Sequence, residues 1–517
     1  MPHAVVPLPA RLTAQGDYSH TLILMVIILY FMFNVYATDN LIGSPSAMFE
    51  LLKKAASQRP VEGNQDGSYL TMKSNNALIF GVIQLCSGSG TVFLDQAYWQ
   101  RAIASRPYTA VRAYILGGMA WFAIPFGFAT TMGLAAVALT DNPSFPTYPN
   151  PPSSSQISAG LASAFAASTL LGKPGAVALL ITLFMAVTSC ASAELIAVSS
   201  ILTFDVYKAY IKPSATPENL IFMAHVNVCV FGLTMAIFAI IWNVVGIDLG
   251  WLFLVMGLLI GGAVFPTAFA ITWKGQSTAG AIAGALSGLA AGLIAWLVEA
   301  QVYYGELTLA STGANYPTLA GNLAAIMTGL IVSVVVSLIK PQNFDWEITR
   351  AINVQSRSLE VVSPRRSSSQ HTPSATPKPG EKDVKSSEIP SPGSPVLTPD
   401  PRDEKHAIDP IRMDEERQTS LDAAVEDHPS RLRSALKLAC IASIVLPFIM
   451  DFLIPIPMFL SHYIFSLHFF TAWIVISFIW VFSSTVISVV LPIWETRLFF
   501  KQIFREIIRD IRSKNAA

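Results

Sequence analysis

"LLITLFMAVTSCASAELIAVSSILTFDVYKAYIKP", residues 179–213, holds too much polarity for a plain membrane anchor. Its apolar content and length suit a helix crossing the hydrocarbon core, which takes about 20 residues. At about 3.6 residues per turn, Thr182, Ser189, Ser192, Ser199 and Thr203 fall on or near one side, with Ala186 beside them. A hydroxyl in such a helix can bond back to its own carbonyls. Glu194 has no such excuse, because a carboxylate at mid-membrane costs about 2.5–3.5 kcal/mol on insertion scales and so marks function by default. Small hydroxyls and open carbonyls are the hard oxygen ligands that an alkali cation needs, whereas thiols and thioethers are too soft.

The rest of the chain shares this character. It has 517 residues, 52% hydrophobic and only 13% charged, with mean hydropathy +0.51. Soluble proteins average about 25% charged residues, so this chain is short of water-facing surface. Runs long enough to span occur at about 19–38, 77–104, 113–139, 175–208, 219–243, 247–273, 278–301, 319–340, 435–454 and 466–492. They do not alternate, which excludes a β-barrel. The fold class is an all-α polytopic membrane protein of about ten transmembrane helices.

The first eight spans make a core over residues 1–340. Residues 341–434 are rich in Pro, Ser and charge and almost lack aromatics, so they read as a disordered cytoplasmic linker. Six Ser-Pro or Thr-Pro steps begin at Ser363, Thr372, Thr376, Ser391, Ser394 and Thr398, a pattern that suits kinases and equally an ordinary Ser/Pro-rich linker. Two further spans fill 435–492, and 493–517 form a basic amphipathic tail for the inner membrane surface. Lys and Arg gather in alternate connections, at Arg101, Arg106, Arg112, Lys208, Lys212, Lys274 and beyond Lys340. That bias puts both termini in the cytoplasm. The connection 39–76 breaks the pattern with Lys53, Lys54, Arg59 and Lys73.

A second unusual segment is "CSGSGTVFLDQAYWQRAIASRP", residues 86–107. Each glycine weakens a helix by about 1 kcal/mol, so Ser87-Gly88-Ser89-Gly90 reads as a point where the second span unwinds. Broken helices at mid-membrane expose backbone groups to cargo and ions; the alternative is a close packing site built on small residues. Asp95, Gln96, Trp99 and Gln100 follow on a second helical piece.

Other classes find little support. No GxSxG, HExxH or P-loop pattern occurs, and the eight histidines do not cluster, so the chain reads as no enzyme and calls for no cofactor. Zero net charge gives no case for nucleic acid. Cys86, Cys190, Cys229 and Cys440 lie inside apolar spans without metal-ligand spacing and read as small packing residues. No cleavable signal peptide is visible, since the first apolar run is too long.

Residues 184–211, "FMAVTSCASAELIAVSSILTFDVYKAYI", resemble the sodium-site helix of the sodium:solute symporter family. "SGSGTVFLDQAYWQRAIASRP" (87–107), "LKLACIASIVLPFIMDFLIPIPMF" (436–459) and "FSSTVISVVLPIWETRLFF" (482–500) resemble its urea active transporter branch of fungi and plants. The resemblance implies two inverted five-helix repeats with cargo and ion bound between them at mid-membrane. It places Ala186 and Ser189 at ion-ligand positions, with Thr188 before the pair and Cys190 where a second hydroxyl belongs. A thiol is a poor Na+ ligand, which turns the coupling ion toward H+. The second span becomes the first helix of the second repeat.

Urea is neutral and planar, with N–H donors and one carbonyl acceptor. Gln84, Ser87, Ser89, Asp95, Tyr98 and Trp99, together with Glu194, are the candidate substrate-binding residues. Asp205 and Tyr207 suit gating or structure. The function implied is symport of urea, and of polyamines as an open second cargo, with H+ or Na+ across the plasma membrane. The resemblance also implies about five helices ahead of "DYSHTLILMVIILYFMFNVYA" (17–37), so the chain reads as an N-terminally truncated scaffold. On that expectation it would not complete a transport cycle by itself. The alternative is a non-transporting urea sensor or scaffold, and a channel is a weaker third.

Overall fold

Apolar runs of bilayer length become helices because a helix satisfies its own backbone N–H and C=O groups. The computed structural model describes residues 8–105, 107–346 and 429–494. Ten helices among them are long and apolar enough to cross a membrane. In chain order, spans 1 to 5 are Ser19–Thr38, Asn75–Leu94, Thr109–Leu139, Ala162–Ile211 and Pro217–Val245. Spans 6 to 10 are Leu249–Thr272, Thr278–Tyr304, Asn315–Ile339, Ser430–Leu460 and Leu467–Trp494. Most of the linker with its six proline steps, and the tail past Trp494, lie outside the described residues. All described residues but Trp346 fall in one unit, Pro7–Asp345 with Pro429–Ala517.

The connection between spans 1 and 2 is itself folded. Ser44 caps the helix Pro45–Gln58 by accepting from the Ala47 N–H at 3.1 Å, and Pro45 opens it. Met48, Phe49, Leu52 and Ala55 are buried on one side, while Lys53 and Glu50 pair at 3.6 Å on the other. The buried side joins Phe31, Val35, Leu139, Phe470 and Ile474 in the largest apolar core, so this helix closes one end of the bundle.

Several connections meet at that end. Arg59 Nη1 pairs with Asp141, after span 3, at 2.5 Å. Thr71 and Ile464, between spans 9 and 10, form an antiparallel bridge, and the Phe465 N–H donates to Leu70 O at 2.8 Å. Lys73 Nζ lies 3.8 Å from the centre of the Phe459 ring. Asn315 Nδ2, at the start of span 8, donates to Asn76 Oδ1 at 3.4 Å. The connections after spans 1, 3, 7 and 9 therefore share one end, as alternating traversal requires. Of the cations of 39–76, Arg59 and Lys73 are held there by tertiary partners.

Span 4 bends near its start. Gly172 adopts φ +61°, a left-handed conformation that costs glycine least, and Pro174 follows without an N–H. That corner explains why the apolar reading began this span at 175: residues 162–171 are a separate leg packed into the core through Ala166 and Ala167.

Spans 7 and 8 pack along a seam of small residues. Gly280, Gly284, Gly288 and Gly292 recur every fourth position and are all buried. A Cβ at Gly288 would stand 2.6 Å from Gly262 Cα and 2.7 Å from Ala325 O, so the backbones approach directly. Span 5, by contrast, buries no residue at all. The packing role expected of the cysteines holds for Cys86, which is buried, while Cys190, Cys229 and Cys440 are exposed.

Candidate functional site

Span 2 runs as unbroken α-helix through Ser87-Gly88-Ser89-Gly90 to Leu94, which corrects the expected unwinding at those glycines. In hydrocarbon an opened backbone costs several kcal/mol per unsatisfied group, more than glycine's weak helix preference can offset. Ser89 Oγ donates to Leu85 O at 2.7 Å and Thr91 Oγ1 to Ser87 O at 3.1 Å, both within the helix. Ser87 and Gly90 instead allow close approach to span 6: a Cβ at Gly90 would meet Ile260, and one at Gly257 would meet Ser87. The small residues there serve packing.

The break falls at Asp95, with φ −71° and ψ 111°. Its Oδ1 accepts from the Ala97 N–H at 2.7 Å and caps the helix Gln96–Ala104. Trp99 Nε1 donates to Phe93 O at 2.9 Å, stapling the two pieces across the break. Tyr114 of span 3 donates its hydroxyl to Tyr98 O at 2.7 Å. On the other side, Gln100 Nε2 reaches Ala197 O of span 4 at 3.5 Å. The second piece is thus held between spans 3 and 4.

Charge gathers at this junction. Glu194 of span 4 is half-buried, and the charges acting on it are Asp95 and Arg101. Cys190, one turn earlier on span 4, lies in the field of the same two carboxylates. The junction thus sets two carboxyl groups against one guanidinium. Among the described residues the ion pairs within 4 Å are those of Lys53 with Glu50 and Arg59 with Asp141, both outside this junction. Asp95, Arg101 and Glu194 therefore interact through space, without a closed salt bridge.

The remaining expected residues divide. Ala186, Thr188 and Cys190 lie on an exposed length of span 4, and Thr188 Oγ1 donates to Phe184 O at 2.7 Å. Ser189 is half-buried, and its carbonyl accepts from Ser192 Oγ at 2.9 Å. Thr182, Ser199 and Thr203 of the hydroxyl side are buried, and Thr203 Oγ1 accepts from Asn227 Nδ2 of span 5 at 2.9 Å. The side is thus partly a packing surface. Tyr98 is 41% exposed. Gln84 and Ser87 do not join the Asp95 junction, because Ser87 is fully buried against span 6 and Gln84 bonds to it.

Sequence reasoning set Gln100 on the same helical piece as Asp95 but missed Arg101 and Tyr114 as members of this junction. Arg101 counted only toward orientation, although it follows Asp95 by six positions and so had to lie near it.

Residues 16–288 match the sodium:solute symporter family. The chain is 38% identical over 497 residues to the urea active transporter of Saccharomyces cerevisiae, covering 94% of this chain and 67% of that one. It is 37% identical to the probable urea active transporter 1 of Schizosaccharomyces pombe, over 97% of this chain and 66% of the other. A rice protein, the urea-proton symporter DUR3 of Oryza sativa subsp. japonica, is 40% identical over 68% of this chain and half of its own length. The chain thus spans about two thirds of the length of the two yeast relatives. No solved structure matches it.

Proposed function

The chain belongs to the sodium:solute symporter family, and from that membership we propose that it serves the symport of urea across the plasma membrane. The observation that carries the reading is likeness over 94% of the chain to a urea active transporter. One particular of the geometry supports a transporter: span 2 ends at a carboxylate, Asp95, which lies in the field of a second carboxylate on span 4. A coupled transporter needs such groups, because cargo and ion must meet polar partners that are costly to hide in hydrocarbon.

The coupling ion in this reading is H+. Asp95 and Glu194 against Arg101 leave one negative charge, which a single cation cancels. Cys190 offers sulfur where Na+ needs oxygen, whereas a proton needs only a carboxylate. The rice relative carries urea and proton together in its name. Asp95, Tyr98 and Glu194 are the residues assigned to the urea N–H groups and carbonyl, with Trp99 as the wall. Ala186, Thr188 and Ser189 line the ion's approach, and both termini face the cytoplasm.

The test is urea uptake by cells lacking their own transporter, using a chimera in which this chain replaces the matched part of the Saccharomyces relative. Saturable, protonophore-sensitive uptake supports the reading. Correct insertion without such uptake, or uptake that follows Na+ at fixed pH, counts against it.

A further inference from the structure

Behind the Asp95 junction, on the side of span 2 that faces spans 6 and 8, lies a second polar centre. Asn322 of span 8 is fully buried, and its Nδ2 donates to Leu254 O at 3.1 Å and Thr318 O at 2.8 Å. Those two bonds fix which end of the amide is oxygen. Asn322 Oδ1 is buried too and has no protein partner. On span 2, Ser87 Oγ donates to Gln84 Oε1 at 3.2 Å, and Gln84 Nε2 is a buried donor with no protein partner. Ser87 is 0% exposed.

Gly257 of span 6 joins the two halves. A Cβ there would overlap Asn322 Oδ1 and stand 2.6 Å from Ser87 Cβ, so both groups rest on the bare backbone of one glycine. The result, among three helices, is an orphan acceptor that shares Gly257 with one buried serine and an orphan donor on the amide which that serine bonds. Leaving such groups unpaired in a low-dielectric interior is costly, and native proteins rarely do it.

We propose that Gln84, Ser87 and Asn322 form a buried water-binding site that joins span 2 to spans 6 and 8. The donor–acceptor complement selects the ligand. Water gives a hydrogen to Asn322 Oδ1 and accepts one from Gln84 Nε2 in the same position. A cation suits Oδ1 but faces the positive end of the Gln84 amide, and an anion has the opposite conflict. Buried waters typically make about three hydrogen bonds, and Ser87 Oγ supplies the third. The site is separate from the Asp95 junction and does not depend on which cargo or ion is carried. Its consequence is mechanical: the three helices are tied by bonds that re-form around a small mobile molecule, not by one rigid contact.

The test is a structure of the full chain at a resolution that shows waters, determined in sodium buffer and again with choline in its place. A spherical density within hydrogen-bonding distance of both Gln84 Nε2 and Asn322 Oδ1 is expected in both. Gln84→Met should abolish that density while the bonds from Asn322 Nδ2 remain. Absence of density in the unaltered chain overturns the proposal, as does density that disappears with sodium.

Discussion

Thr71 Oγ1 donates to the carbonyl of Tyr463 at 2.8 Å, linking two turns that stand 392 positions apart. The neighbouring bridge between Thr71 and Ile464, and the bond from Phe465 N to Leu70 O, make this a short two-stranded contact. It fastens the connection of spans 1 and 2 to the last helical hairpin.

Facing residues in an antiparallel bridge have Cα atoms about 4.5–5.5 Å apart, within the span of a disulfide. Thr71→Cys with Ile464→Cys should therefore oxidise readily in a background without the four native cysteines. A protease site placed between residues 347 and 428 then gives two fragments. They should stay joined until reductant is added. Fragments that separate without reductant would show that the two turns do not meet.

Asp95 does two things that can be separated. As a cap it contributes about 0.5–2 kcal/mol, and an Asn side chain caps nearly as well. As a charge it has no substitute in Asn. Asp95→Ala should lower the melting temperature of the purified protein and abolish uptake by the chimera. Asp95→Asn should melt close to the unaltered protein and still lose proton-driven uptake. Normal uptake by Asp95→Asn would remove this carboxylate from the coupling reading.

The glycine seam predicts opposite signs for one substitution at two positions. A Cβ at Gly288 would crowd Gly262 Cα and Ala325 O, backbone atoms that cannot rotate away. Gly288→Ala should destabilise by about 1–3 kcal/mol, the cost of overpacking. Gly133, in the helix Thr130–Leu139, has nothing within 4 Å of such a Cβ. There Ala should be neutral or stabilising by up to about 1 kcal/mol. Thermal melts of the two variants in one detergent check the contrast. Equal shifts would mean that the seam is looser than its spacing implies.

The ten spans were legible because length and apolar content alone decide whether a helix can cross hydrocarbon. Glu194 and Asp95 were legible as functional candidates for the same reason, since their cost in the membrane shows without a structure. The position of the break was not. Glycine preference in water pointed to Gly88 and Gly90, whereas the helix ends at a residue that can cap the next one. The seam of spans 7 and 8 and the Asn322 centre were invisible because each depends on a partner from another helix. Gly257 means nothing until Ser87 and Asn322 lie against it.

The charge count at the Asp95 junction gives the last prediction. With Asp95 and Glu194 ionised and Arg101 cationic, the junction carries one net negative charge, so an empty carrier resists burying it without a cation. Glu194→Gln removes that charge and leaves Asp95 balanced by Arg101. The variant then has no electrostatic reason to take up a coupling cation. In the chimera, Glu194→Gln should still exchange labelled for unlabelled urea across the membrane but should lose accumulation against a gradient. Arg101→Gln acts in the other direction, leaving two unbalanced carboxylates, and should slow both exchange and accumulation. Combining Glu194→Gln with Arg101→Gln restores the count of one negative charge, now on Asp95 alone, and should recover part of the accumulation lost by Glu194→Gln. Vesicle uptake with and without an imposed pH gradient measures all three. Full accumulation by Glu194→Gln would place the coupling charge elsewhere in the molecule.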